Sequence, residues 1–295
     1  MKIVTFYSYK GGTGRSLALA NIATRLAESE RRVCLLDFDL EAPGLHYKFS
    51  NALENQGITI KSGIVDYIYQ YTNEGVLANS LAEYCYSFPA TKNSFQITML
   101  PAGNIDSKDY WKKLSSINWY DFLYSNDAGL SFLLSLKEKI RKEINPDYLL
   151  IDSRSGVTEI SGIALSILAD EVVIFAANNK ENLDGTIKIM KSISDPVNRI
   201  IGSIPKITFV LSKAPITSDA FDKAKEQKII NEIRNKFDGL VNDIKVLHSD
   251  RELEEKEEIK IGYGDDKSGS QISRDYLDLF ESLTINDLLK KNKLS

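Results

Sequence analysis

Cysteine is scarce: the 295 residues contain two, Cys34 and Cys85. They form no C-x-x-C pair and cannot build a metal cluster by themselves. Cys34 sits inside the apolar run Arg32-Val33-Cys34-Leu35-Leu36 and reads as a small core residue. Both read as free thiols of a cytoplasmic protein. No apolar run approaches the length of a membrane span. No signal peptide is expected, because the N-terminus opens directly in a strand. A basic excess is missing too: 37 Lys and Arg face 41 Asp and Glu, for a net charge of −4. That balance supplies no electrostatic footprint for nucleic acid. There is no internal repeat and no long low-complexity linker. Acidic residues gather between Asp250 and Asp266 (Glu252, Glu254, Glu255, Glu257, Glu258, Asp265) and read as solvated surface. What remains is 43% hydrophobic content, enough for one large α/β domain or at most two.

The densest information lies in Tyr9-Lys10-Gly11-Gly12-Thr13-Gly14-Arg15-Ser16-Leu17-Ala18. A short apolar run, Ile3 to Tyr7, precedes it, and a helical pattern from Leu17 to Ala27 follows. Strand, glycine-rich turn and helix form the context of a phosphate-binding loop. Backbone N–H groups and the positive end of the helix favour a polyphosphate there. Gly11, Gly12 and Gly14 let the backbone approach phosphates closely, and Ser16 offers a hydroxyl to Mg²⁺. The common pattern G-x-x-x-x-G-K-[ST] is altered twice. Tyr9 replaces its first glycine, and Arg15 its lysine. Arg15 keeps the charge but presents a planar fork, so it should bind phosphate with different geometry.

Two further segments belong with the loop. Val33 to Phe38 is a continuous apolar run, as in strands buried on both faces, and it ends in Asp37-Phe38-Asp39. Ligands of open α/β sheets bind at the carboxyl ends of strands, and alternate spacing should set both carboxylates on one side. One would serve Mg²⁺ and the other orient an attacking water. Pro146-Asp147-Tyr148-Leu149-Leu150-Ile151-Asp152 is a second strand closing on an aspartate, the layout of a Walker B carboxylate near the nucleotide's Mg²⁺. Strands are also expected at Glu171 to Asn179 and Ile207 to Lys213.

These segments resemble the ParA/MinD family of P-loop ATPases. Lys-Gly-Gly-x-Gly-Arg-Ser resembles its deviant Walker A loop, in a subgroup with Arg in place of the P-loop Lys. Asp37 to Gly44 resembles its switch I, and Ser153-Arg154-Ser155-Gly156 its switch II. The resemblance implies a doubly wound, mostly parallel sheet and an Mg²⁺-ATP-dependent homodimer. Lys10 would then reach the partner subunit's nucleotide and Asp39 would support hydrolysis. Gly11 to Leu17 and the Gly156 N–H would hold phosphates, with Ser16, Asp37 and Asp152 serving Mg²⁺. Asn178, Asn179, Ser212 and Lys213 would lie near the base. Ser212-Lys213-Ala214-Pro215 lacks the aspartate of a guanine reader, which favours adenine. Arg154 is open between a role beside the γ-phosphate and an ordinary surface arginine.

The resemblance leaves the task of the switch open. A partition or positioning system and a defence or signalling system both fit, each with a protein partner not yet identified. DNA is allowed by the family but weakly supported by the charge balance. A different class, a nucleotide-dependent interaction scaffold with little turnover, follows from Arg15. Iron–sulfur relatives are disfavoured because Cys34 is inside a strand, and kinase relatives because only Tyr276 stands near the C-terminal end. Pump relatives need a duplicated ATPase.

The remainder reads as a single P-loop domain over 1–295 with a helical, aromatic-rich insertion around 104–144. That insertion carries Tyr110, Trp111, Trp119, Tyr120, Phe122 and Tyr124, read as core or interface. A strand is expected at Gln96 to Leu100 and a helix from Leu130 to Ile144. Tyr276 to Leu294 has apolar residues at Leu277, Phe280, Leu283, Leu288 and Leu289. Its acidic residues favour a helix packed on the domain over a membrane-binding one. Gly262 to Ser270 reads as a loop.

Overall fold

A computed structural model describes residues 1–91, 94–124, 128–195, 204–216, 220–249, 258–261 and 270–291. Residues 262–269 of the loop expected at 262–270 and most of the acidic run from Asp250 lie outside these residues, as does Leu294. The side chains of Tyr124, Leu288 and Leu289 are likewise outside the description.

Eight strands form one sheet in the order β3-β4-β2-β5-β1-β6-β7-β8. They are β1 Lys2–Ser8, β2 Val33–Phe38, β3 Tyr86–Pro89, β4 Gln96–Leu100, β5 Tyr148–Ser153, β6 Glu171–Ala177, β7 Lys206–Ala214 and β8 Asp243–His248. Only β3 runs antiparallel, against β4. All six residues of β2 and of β5 are buried, as continuous apolar runs require when helices cover both faces.

Alternation along the strands divides the core. Val4, Phe6, Val33, Leu35 and Leu150 face one side. Helix α1 (Arg15–Glu28) covers that side through Leu19, Ile22, Ala23 and Leu26. Cys34, Leu36, Leu149 and Ile151 face the other side, beneath α4 (Ile64–Glu74), α5 (Lys108–Ser116), α6 (Trp119–Tyr124), α7 (Ala128–Lys139) and α8 (Glu159–Ile163). Short helices α2 (Leu45–Lys48) and α3 (Ser50–Asn55) follow β2. Helices α9 (Lys180–Ser194) and α10 (Ala220–Lys236) lie along the β6–β7 part of that second face.

The C-terminal helix α11 (Gln271–Lys291) packs on the domain. Ile272, Tyr276, Leu279 and Leu283 recur at helical spacing and bury against α1's side of the sheet. Leu277 and Phe280 are only partly buried at its margin. The aromatic segment divides: Tyr110 and Phe122 are buried, whereas Trp111 and Tyr120 are exposed. Among the described residues no helix is long and apolar enough to cross a membrane.

Parallel register brings the acidic ends together. Asp37 of β2 stands opposite Asp152 of β5, and Phe6 of β1 is level with Asp152 on the other side. The turn from Tyr9 to Gly14 leaves β1 at this edge and enters α1.

Candidate nucleotide site

The chain turns from β1 into α1 through two left-handed residues, Gly12 (φ 73°) and Gly14 (φ 79°). A side chain at either would be strained, which fixes glycine there. Gly14 stands at the helix N-cap with no side-chain cap, and the first turn of α1 has no acidic residue. Its N–H groups therefore remain available to an anion. The Thr13 hydroxyl is buried with no hydrogen-bond partner. This turn lines a cleft of about 610 Å³, with Gly11 to Leu17 along one wall.

Arg15 does not point along the loop. It is 8% exposed, and its guanidinium turns beneath the strand ends. Nε donates to Asp152 Oδ1 at 2.6 Å, Nη2 to Asp39 Oδ2 at 2.8 Å, and Nη1 to Ser8 Oγ at 3.4 Å. Burial opposes this charge, but Asp152 and Asp39 outweigh it and raise the pKa above the usual guanidinium value. Burial pushes the Asp39 carboxyl up, and Arg15 pulls against it.

The three metal candidates part company. Ser16 lines the cleft. Asp152 is buried behind the cleft lining, but it keeps one oxygen, Oδ2, without a hydrogen-bond partner. Asp37, expected on the same side as Asp39, is fully buried too, and both its oxygens are taken up. Its carboxylate accepts the backbone N–H of Leu45 at 3.1 Å and of Asp39 at 3.3 Å. The strand ends at Phe38 and the chain turns, with the Ala42 N–H bonded to the Asp39 carbonyl, so strand alternation no longer applies. Burial, then the neighbouring Asp152, raise the Asp37 pKa well above the carboxylate range. Asp37 thus shapes the loop in this structure.

Other expected residues also find local partners. Lys10 lies outside the cleft wall, exposed and paired to Glu181 at 2.6 Å. The Gly156 N–H, expected at a phosphate, donates to the Ser8 carbonyl at 3.2 Å. Ser155 lines the cleft in its place. Arg154 is ion-paired with Glu41, joining the loops after β5 and β2. Asn178 is exposed, and Asn179 caps α9 by accepting the Asn182 N–H at 3.0 Å. Neither asparagine lines the cleft. Ser212 and Lys213 do, and the Ser212 hydroxyl is buried without a partner.

The far wall was not foreseen. It is built by Leu247, His248 and Ser249 at the end of β8, with Ile272 and Tyr276 of α11. Lys48 of α2 also reaches the cleft. His248 is held by Asp275 at Nδ1 (2.8 Å) and Glu226 at Nε2 (2.7 Å). The Asp275 hydrogen bond, first among the causes, and the Glu226 contact outweigh burial and raise the ring's pKa above the ordinary imidazole value, which favours the doubly protonated ring. The rule that ligands gather at the carboxyl ends of parallel strands would have indicated this end of β8.

The residues fit a nucleotide bound with a metal. An open helix N-terminus and an unpartnered Thr13 hydroxyl suit phosphate oxygens. Ser16 and the free Asp152 oxygen suit a magnesium ion. No group of three or more His, Cys, Asp or Glu among the described residues could hold a metal alone. Magnesium in such sites is shared with the substrate phosphates, which needs only one or two protein ligands.

A family model described as "CobQ/CobB/MinD/ParA nucleotide binding domain" matches residues 4–248. The chain is 44% identical over 55 residues to the protein virC1 of Rhizobium rhizogenes, a match covering 19% of this chain and 23% of that relative. A putative plasmid partition protein of Borrelia burgdorferi B31, solved with AMPPNP, has a similar structure. The TM-score is 0.61 and the identity 18%, over 97% of this chain and 98% of the other. The septum site-determining protein MinD of Pyrococcus horikoshii OT3, solved with Mg-ADP, gives a TM-score of 0.62 at 17% identity. That alignment covers 96% and 95% of the two chains.

Proposed function

We propose, from the premise that the chain belongs to the CobQ/CobB/MinD/ParA nucleotide-binding family, that it is an Mg²⁺-ATP-dependent switch. ATP closes a homodimer, slow hydrolysis opens it, and the closed form acts on a protein partner or cargo. The observation that carries this reading is the uncapped start of α1 after Gly12 and Gly14, facing a cleft that also holds Ser16, Asp39 and Ser212. Backbone N–H groups of Gly11 to Leu17 bind the phosphates. Ser16 and Asp152 take the metal, which neutralises charge on the phosphates when bound. Asp39 orients the attacking water. Lys10 exchanges Glu181 for the partner subunit's phosphates, a move its exposed position allows. Ser212 and Lys213 meet the base, with His248 and Tyr276 closing that end. A partition or positioning task agrees with the neighbour from Borrelia; DNA is a candidate cargo.

A second reading is favoured by one contact. Arg15 engages Asp39 and Asp152 together. If that contact persisted with nucleotide bound, the protein would be an ATP-gated scaffold with little turnover.

Light scattering coupled to size exclusion, without nucleotide and with ADP or ATP plus Mg²⁺, tests both. A dimer that forms with ATP and decays as phosphate is released supports the switch. A stable ATP dimer without phosphate release supports the scaffold. Lys10→Ala should abolish the ATP dimer; a variant that dimerises and turns over like wild type sinks the mechanism.

A further inference from the structure

Arg15 is a cation whose acceptors all lie inside the chain. Asp152 takes its Nε–H, Asp39 takes Nη2–H, and Ser8 completes the set. The geometry requires a guanidinium. Its planar fork presents Nε and Nη2 to two different carboxylates at once, whereas an ammonium is a single point of charge. Without it, the buried carboxylates of Asp39 and Asp152 would lack their shared cation, and Arg154, the other cation that acts on Asp39, is already paired to Glu41.

We propose that Arg15 is an internal counter-cation that latches the nucleotide-free site. It ties Asp39 to Asp152 until a triphosphate draws the guanidinium away from at least one of them. The proposal rests on the nucleotide-binding reading above and deepens it. The carboxylates and the incoming phosphates then compete for one charge, so the acidic residues of the site set a threshold for ATP. The same two loops are joined a second time by Arg154 and Glu41. That pair does not involve Arg15, and it provides the control.

The experiment is a calorimetric titration of ATP in EDTA, where loss of a metal ligand has no effect, repeated with Mg²⁺ for wild type. Asp39→Asn, isosteric and one charge poorer, should bind ATP roughly tenfold more tightly, the scale of one displaced charge-assisted hydrogen bond. Glu41→Gln, which removes a charge from the same loop, should leave affinity near wild type. In an Arg15→Lys background the gain from Asp39→Asn should shrink, because an ammonium cannot bridge both carboxylates. No gain in Asp39→Asn overturns the latch. An equal gain in Glu41→Gln, or an undiminished gain in the Arg15→Lys background, also overturns it, since plain carboxylate–phosphate repulsion would then suffice. Binding by wild type with no gain in the variant defeats the latch alone. Absence of ATP binding by every protein, with or without Mg²⁺, defeats the nucleotide reading as well.

Discussion

The two ends of the cleft are built on one plan with different cations. At the loop end, Arg15 lies between Asp39 and Asp152. At the far end, His248 lies between Asp275 and Glu226. In each case a buried basic side chain ties separate elements together at the carboxyl edge of the sheet. Arg15 joins α1, β5 and the loop after β2. His248 joins β8, α10 and α11. The difference is permanence: a guanidinium keeps its charge at any pH the fold survives, whereas an imidazolium near neutrality does not. The end proposed for phosphates therefore has a fixed charge, and the end proposed for the base a conditional one.

The largest effect should come from breaking the fixed end. Arg15→Met leaves Asp39 and Asp152 buried without their cation, and removal of one partner from such a group costs about 3–5 kcal/mol. Urea denaturation of the nucleotide-free protein measures this. A loss below about 1 kcal/mol would place the pair in the range of exposed ion pairs and dissolve the comparison.

At the conditional end, His248→Ala should cost less, about 1–3 kcal/mol near pH 6, the penalty for an under-satisfied buried acceptor. Its distinguishing mark is pH. The folded-state pKa of His248 lies above the ordinary 6.5. The folded protein thus holds this proton more tightly than the unfolded chain. The stabilisation is complete below about 6.5 and is lost as pH rises through the folded value. The gap between wild type and His248→Ala should shrink over that rise, while the gap for Arg15→Met stays level. Denaturation midpoints in a series of buffers from about pH 6 to 9 give both curves. A His248 gap that is flat, or that widens with pH, would mean the ring is not held as an imidazolium.

The two ends also differ in how far the sequence announces them. The loop from Lys10 to Ser16 is a contiguous pattern, and the strand that carries Asp152 is a continuous apolar run, so both are visible in local spacing. Most of the sheet followed from such runs: β2 and β4 span the expected residues, β7 is one residue longer at each end, β6 stops two residues earlier, and β5 starts at Tyr148 and closes on Ser153, whereas β3 and β8 were not expected. What spacing could not show was direction. Arg15 occupies the lysine position of the loop, yet its side chain follows the two nearest carboxylates. Asp37 and Asp39 are two apart, yet the strand stops between them and the side chains diverge. The family resemblance implies that Asn179 lies near the base, yet it precedes a helix, and the cap claims it. His248 depends on contacts 22 and 27 residues away along the chain, which no local pattern contains.

The smallest effect should separate both buried groups from an exposed pair. Lys10 and Glu181 are 2.6 Å apart, but their side chains are 46% and 71% exposed. Water and salt screen such a pair, and holding two long side chains together opposes it. Glu181→Gln should therefore leave the melting temperature of the nucleotide-free protein unchanged, at low salt and at high salt alike. In the dimer proposed above, Lys10 has to leave Glu181 to reach the partner's phosphates. Removing Glu181 takes away its competitor, so ATP-driven dimerisation should occur at the same or lower protein concentration. The same light-scattering experiment reads this. A variant that melts normally but dimerises only at higher concentration would show that Glu181 orients Lys10 for its reach. The exposed pair would then be part of the dimer mechanism, and permanence of charge would not be the property that separates functional cations from the rest.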